Sequence, residues 1–104
     1  MGAVLTGIVR SSRVIGAEDD SYQFLALDIV TERGVAYVCQ VWDIEQISDL
    51  VGHYGDKPLL DHRVKVTLLN YSIGTRKFKD GSSAPQVRFR ISNVRDLGLP
   101  DEEE

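Results

Sequence analysis

Apolar and polar side chains alternate with a period of two over most of the chain, which is the pattern of half-buried strands. A first strand is predicted from Val4 to Ile15, with Gly7 marking a bulge or bend inside it. After the polar turn Ala17-Glu18-Asp19-Asp20-Ser21, a second runs from Tyr22 to Thr31. It sets Leu25, Leu27 and Ile29 on one face and Tyr22, Phe24 and Asp28 on the other. Glu32-Arg33-Gly34 reads as a tight turn before a third strand, Val35 to Trp42. The period then changes. Asp43 with Gln46 fits a capping box, and Ile44, Ile47, Leu50 and Val51 recur at helical spacing, so a short amphipathic helix is predicted over Asp43–Tyr54 and ended by Gly52 and Gly55. A loop containing Pro58 leads to a fourth strand, Arg63 to Ser72, which alternates Val64, Val66 and Leu68 with Arg63, Lys65, Thr67, Leu69 and Tyr71. Residues Ile73 to Pro85, with Gly74, Gly81 and Ser82-Ser83, read as a loop. The fifth strand, Gln86 to Val94, alternates Val87, Phe89 and Ile91 with Arg88, Arg90 and Ser92.

Three strands, a helix and two more strands is the order of an OB-type barrel, in which the helix between strands three and four plugs one end. The expected class is therefore all-β: a five-stranded OB-fold-like barrel with one short α-helix. The 104 residues suffice for one such domain, expected over 1–97. Residues 98–104, ending Asp101-Glu102-Glu103-Glu104, read as an acidic tail that is frayed in solvent or occupies a basic face until a ligand displaces it. Cys39 is the only cysteine, so no internal disulfide forms, and its apolar setting predicts a small buried hydrophobe. No apolar run reaches the ~20 residues that span a bilayer. The stretch from Met1 to Arg10 has no secretory signal's apolar core, so the expected location is cytoplasmic.

The net charge of −4 conceals a steep asymmetry. Residues 1 to 62 hold four basic and ten acidic side chains. Residues 63 to 96 hold eight basic ones (Arg63, Lys65, Arg76, Lys77, Lys79, Arg88, Arg90, Arg95) against only Asp80 and Asp96. With a Debye length of about 8 Å at physiological salt, a polyanion meets the local field rather than the total. Burying a row of cations is costly, so Arg63, Lys65, Arg88 and Arg90 are expected together on the outer surface of strands four and five. Thr75-Arg76-Lys77-Phe78-Lys79-Asp80-Gly81 adds an aromatic among three cations. Single-strand binders combine these elements: cations that follow phosphates and aromatic faces on which bases stack. Tyr22, Phe24 and Tyr71 are expected outward as further stacking faces. Phe78 either joins them or folds back over a barrel end, and Trp42 either stacks on a base or packs beneath the helix.

The stretch Thr75-Arg76-Lys77-Phe78-Lys79-Asp80-Gly81, followed by an alternating strand, resembles the strand-four/strand-five hairpin of bacterial single-stranded DNA-binding proteins, and the compact chain is similar to small single-strand binders of phages and plasmids. The helix Ile44 to Tyr54 followed by Val64-Lys65-Val66 is similar to that family's order of elements. The resemblance implies an OB fold, cooperative or oligomeric binding of single strands, and roles in replication, recombination or repair. It also implies backbone and base contacts from Arg76, Lys77 and Phe78. DNA and RNA both remain open as ligands.

Enzyme chemistry finds little purchase. His53 and His62 belong to no metal motif, one cysteine supplies no zinc spacing, and no Gly-rich phosphate loop precedes the helix. No cofactor is expected. The competing class is a small β-barrel that pairs with a partner protein through an exposed strand edge. Eight cations among thirty-four residues favour a phosphate backbone over that reading.

Overall fold

The computed structural model describes residues 3–16, 19 and 21–100. The polar turn expected at 17–21 therefore lies partly outside the described residues, and the acidic tip at 101–104 wholly so. Five strands and one helix follow in the expected order: β1 (Ala3–Gly16), β2 (Gln23–Val30), β3 (Ala36–Val41), α1 (Ile44–Tyr54), β4 (Arg63–Lys77) and β5 (Ser83–Gly98). They close a barrel in the order β1-β2-β3-β5-β4. Every pairing is antiparallel except β3 with β5, which is parallel and closes the barrel at Val38↔Arg88, Cys39↔Phe89 and Gln40↔Arg90.

The inward half of each alternation supplies the core. Leu25, Leu27, Ile29, Cys39, Val41, Val9 and Val64 have no exposed surface, and Val66, Leu5, Ile91, Ile47 and Leu59 complete the cluster. Cys39 is thus the buried hydrophobe expected of it. Burial, together with the negative charge of Asp28, pushes its thiol up to about 12. β1 serves two neighbours. Its first half pairs with β4 and its second with β2, and a bulge between Val9 and Ser11 turns the strand at the barrel's corner. Burial changes phase there, from Leu5, Gly7 and Val9 to Ser12. The Ser12 hydroxyl donates to the carbonyl of Pro58 at 2.6 Å, which satisfies the one buried polar side chain among the described residues. Gly7 is required by a close approach rather than by a bend: a Cβ here would stand 2.6 Å from the Val30 carbonyl oxygen.

Helix α1 begins at Asp43, whose carboxylate accepts from the amides of Glu45 and Gln46. This is the N-cap expected of Asp43, and it satisfies donors that the first turn leaves free. Ile47 is buried, with Leu50, Val51 and Tyr54 packed at the edge of the core. The helix runs through Gly52 and stops at Gly55, whose positive φ makes the cap.

The largest departure from expectation is residues Ile73 to Pro85, which are not a loop. β4 and β5 continue pairing outward to Lys77↔Ser83. Only residues 78 to 82 turn, held by Phe78 N–H to the Ser82 carbonyl and by Asp80 accepting from the amide and hydroxyl of Ser82. None of residues 69 to 90 is buried, and beyond the last β3 pairing at Arg88 the hairpin is a two-stranded ribbon accessible on both faces. Val87, expected inward, keeps the core-facing phase but lies beyond the core and is exposed. A bulge at Leu69 shifts β4 by one residue, pairing Leu68 with Ile91 but Asn70 with Arg90. That slip turns Tyr71 away from the face carrying Arg88 and Arg90 and sets it opposite Phe89.

Candidate nucleic-acid interface

The outer face of β2 and β3 is built by alternation. Because Leu25, Leu27, Cys39 and Val41 point inward, Phe24, Ala26 and Asp28 of β2 and Val38 and Gln40 of β3 point outward, and Trp42 follows in the same phase. Phe24 and Trp42 stack with ring centroids 4.6 Å apart and an interplanar angle of 24°. Tyr22 lies 6.3 Å from each, so three aromatic rings form one platform. The Arg90 guanidinium sits 4.7 Å over the Trp42 ring, a cation–π contact that ties the barrel wall to β5. Trp42 Nε1–H donates to Gln40 Oε1 at 3.0 Å and fixes the indole's orientation. The two alternatives left open for Trp42 are thus resolved toward the outer platform.

Two grooves meet along this face. One is lined by Ile15, Tyr22, Phe24, Trp42, Arg88 and Arg90. The other runs beneath the ribbon, where Arg13, Arg76, Lys77 and Arg88 face Asp28 and Gln40. Arg88 lies across Gly74, where a Cβ would come within 2.8 Å of its guanidinium carbon. Its Nε–H also reaches Gln86 Oε1 at 3.5 Å. The absence of a side chain at Gly74 lets a long cation lie flat along the ribbon. Positive charge and flat rings therefore share one concave strip, able to take anions along its edge and planar groups on its floor.

Of the residues singled out in the sequence, Tyr22, Phe24, Arg76, Lys77, Arg88 and Arg90 line these grooves. Phe78 sits in the ribbon's turn, half exposed, with the Arg76 guanidinium 5.5 Å from its ring centre; it does not fold back over a barrel end. Lys79 is exposed in the same turn. Arg63 and Lys65 are elsewhere. Arg63 lines a cavity by the β2–β3 turn with Thr6, Gly7 and Tyr37, and Lys65 faces solvent on the β1–β4 wall, paired in register with Arg95. Tyr71 belongs to the ribbon's other face, where Phe89 bridges it to Tyr37 with centroids 6.3 and 5.6 Å apart. Trp42, Gln40 and Arg13 join the site without having been chosen. The alternation of Val38, Gln40 and Trp42 against Cys39 and Val41 carried the signal for two of them.

His62 and Asp96 lie away from this strip. Asp96 accepts from the Tyr54 hydroxyl at 2.6 Å, from His62 Nδ1 at 2.9 Å and from the Gly98 amide at 2.7 Å, tying α1 to the ends of β4 and β5. Partial burial pushes the Asp96 carboxyl up, but these donors outweigh it and hold the group below the usual carboxylate range. The same bond raises the Tyr54 hydroxyl to about 12. Among the described residues no group of three or more metal-binding side chains occurs. No described helix is long and apolar enough to cross a membrane.

No family model matches the chain, and no curated protein sequence does. Among solved structures, one crystal form of the mitochondrial single-stranded DNA-binding protein Rim1 from S. cerevisiae superposes with a TM-score of 0.61 at 15% identity, covering 94% of each chain. A second form gives 0.58 at 13% identity, over 95% of this chain and 97% of that one. The chain has an OB fold. At these identities the likeness is one of architecture, and it covers nearly the whole chain. In OB folds, ligands lie across the face of strands two and three and against the loop joining strands four and five. Here that face is the Phe24–Trp42 platform, and that loop is the basic ribbon.

Proposed function

We propose that this OB domain binds single-stranded nucleic acid, DNA foremost, along the strip between the β2–β3 face and the β4–β5 ribbon. The observation that carries the reading is the Tyr22–Phe24–Trp42 platform capped by Arg90 and flanked by Arg13, Arg76, Lys77 and Arg88. Bases stack on the rings while phosphates follow the cations, and stacking tolerates any base because every base has a π-face. Binding is therefore largely independent of sequence, as suits replication, recombination or repair, and it is not enzymatic. The likeness to a mitochondrial single-stranded DNA-binding protein supports the same reading. So do the resemblance of the ribbon to bacterial single-strand binders and that of the compact chain to phage ones, with which a cytoplasmic location agrees.

The chain is proposed to self-associate. The ribbon face opposite the cations exposes Tyr71 (65%), Ile73 (68%) and Val87 (43%), an apolar row that a second copy covers. Oligomeric state follows from sedimentation equilibrium, where a monomer at all concentrations rejects this part.

A fluorescence-anisotropy titration of labelled oligo-dT of ~30 nucleotides, against duplex of equal length at two salt concentrations, tests the central reading. Single-strand binding that exceeds duplex binding and weakens with salt is expected. No binding at low salt transfers the domain to the class of protein-interaction modules.

A further inference from the structure

The groove beneath the ribbon holds a feature that a sequence-neutral strip does not need. Asp28 is its one carboxylate among the described residues, half-buried between Ser11 on β1 and Val38 on β3, in a groove lined by Arg13, Arg76, Lys77 and Arg88. Despite these neighbours it makes no hydrogen bond or ion pair with any described residue. In the path of a polyanion a carboxylate repels phosphate, and a ligand that turns hydrogen-bond donors toward it offsets that repulsion. Base edges carry such donors, and a carboxylate is a recognised acceptor for the exocyclic amine of cytosine.

Gln40 supplies the second half. An indole N–H can only donate, so its bond to Gln40 Oε1 fixes the amide with its NH2 group left as the donor. Asp28 and Gln40 are diagonal neighbours across the β2–β3 ladder, since Ala26 pairs with Gln40 and Asp28 with Val38. Diagonal positions stand ~7–8 Å apart, within reach of one planar ring. The small side chain of Ala26 leaves the floor between them open. An acceptor beside a donor complements the amine and ring nitrogen of cytosine. Uracil and thymine instead offer a carbonyl oxygen where cytosine has its amine, and its lone pairs oppose the carboxylate.

We infer that Asp28 and Gln40 form a base-reading step within the strip, selecting cytosine over uracil or thymine at one position of the bound strand. The inference rests on the single-strand reading above and adds a preference to it, while stacking on Phe24 and Trp42 stays neutral to base identity.

Oligo-dC and oligo-dU of equal length differ only at this edge, in the amine or oxygen of the base and in whether the adjacent ring nitrogen accepts or donates. Their affinities are compared by anisotropy at mildly alkaline pH, where oligo-dC is unstructured, for the unaltered protein, Asp28→Asn and Asp28→Ala. The unaltered protein is expected to prefer oligo-dC about fivefold, the lower end of what a base-edge contact supplies. Asp28→Ala is expected to abolish the preference, and Asp28→Asn, whose amide can donate to a carbonyl, to move it toward oligo-dU. Far-UV spectra confirm that both variants remain folded. Equal affinity of the unaltered protein for the two oligomers overturns the inference and leaves single-strand binding standing. A parallel gain for both in the variants assigns Asp28 to simple charge repulsion and overturns it too. Failure of the unaltered protein to bind either oligomer overturns the single-strand reading itself, and this inference with it.

Discussion

The barrel and the ribbon are built from the same two strands, yet they obey different rules. Inside the barrel, β4 and β5 bury Val64, Val66 and Ile91 against side chains from the other three strands. Beyond Ser72↔Arg88, where β3 stops pairing with β5, the same pair has no third strand, and its apolar residues Ile73 and Val87 stand in solvent with the exposed Tyr71 at the boundary. In the first region, position is dictated by what must leave water. In the second, backbone pairing and a tight turn hold the shape, and side chains are free to serve a ligand. The candidate site lies where the regions meet, with rings on the rigid wall and cations on the extension. Arg90 over Trp42 joins the two.

The sharpest way to break this contrast is by truncation. Leu27 is wholly buried on β2, and Leu27→Ala is expected to cost about 3 kcal/mol in urea denaturation, combining lost transfer energy with a residual cavity. In protein dilute enough to be monomeric, Ile73→Ala on the ribbon is expected to cost less than about 0.5 kcal/mol, as surface substitutions do. Equal losses in the monomer would mean that the ribbon packs within one copy, whereas a cost that appears only as concentration rises is the one expected of a second copy covering it.

Glycines give a matched pair. A Cβ on Gly7 meets backbone, the Val30 carbonyl at 2.6 Å, and neither strand can move without disturbing the ladder. Gly7→Ala is expected to destabilise by about 2 kcal/mol, as overpacking does. At Gly74 the obstacle is the end of the Arg88 side chain, which can swing away. Gly74→Ala is therefore expected to leave the midpoint of thermal unfolding nearly unchanged while weakening oligonucleotide binding, because Arg88 loses its bed. Similar effects on stability at both sites would contradict the division.

Stacking is tested at the junction. Trp42→Ala is expected to lower single-strand affinity roughly tenfold, in line with the worth of one stacked base, while Tyr71→Ala on the opposite ribbon face changes affinity little. If Tyr71→Ala is the more damaging, the ligand path crosses the other face and the assigned strip is wrong.

The same division decides what could be read from the sequence. Strands β2 and β3, helix α1 with its Asp43 cap, and the burial of Leu25, Leu27, Ile29 and Cys39 were all legible, because one-sided burial imposes a period. The ribbon was not, since a two-stranded extension buries nothing and leaves no period to detect. Gly74, Pro85 and Ser82-Ser83 there look like loop residues. Pro85 is nonetheless tolerated opposite Thr75 because the ribbon's outer edges have no further strand to pair with. The bulge at Leu69 was equally silent, and it reversed the assignment of Tyr71. Arg63 and Lys65 fell outside the strip for a different reason: outward positions on a barrel face different directions, which alternation along a single strand does not distinguish.

The smallest expected effect concerns the end of the barrel farthest in character from the ribbon, where Tyr54 of α1 donates to Asp96 of β5. Tyr54→Phe removes one hydrogen bond to a charged acceptor at a solvated rim, so about 1 kcal/mol is the ceiling. Its pH dependence is diagnostic. Asp96 titrates lower in the folded state than in the unfolded chain, so its contribution is present above the ordinary carboxylate range and is lost as pH falls through the depressed value. Tyr54 titrates higher when folded, moving from 10.0 to about 12, so its contribution is complete below the former value and is lost as pH rises through the latter. The stability difference between the unaltered protein and Tyr54→Phe should therefore form a plateau through neutral pH and shrink at both extremes. Urea midpoints across the pH range would show it, and a difference that stays flat into acid would mean that the phenol does not bond the carboxylate. Oligonucleotide affinity at neutral pH should not move, because this contact ties the helix to the barrel and takes no part in the strip.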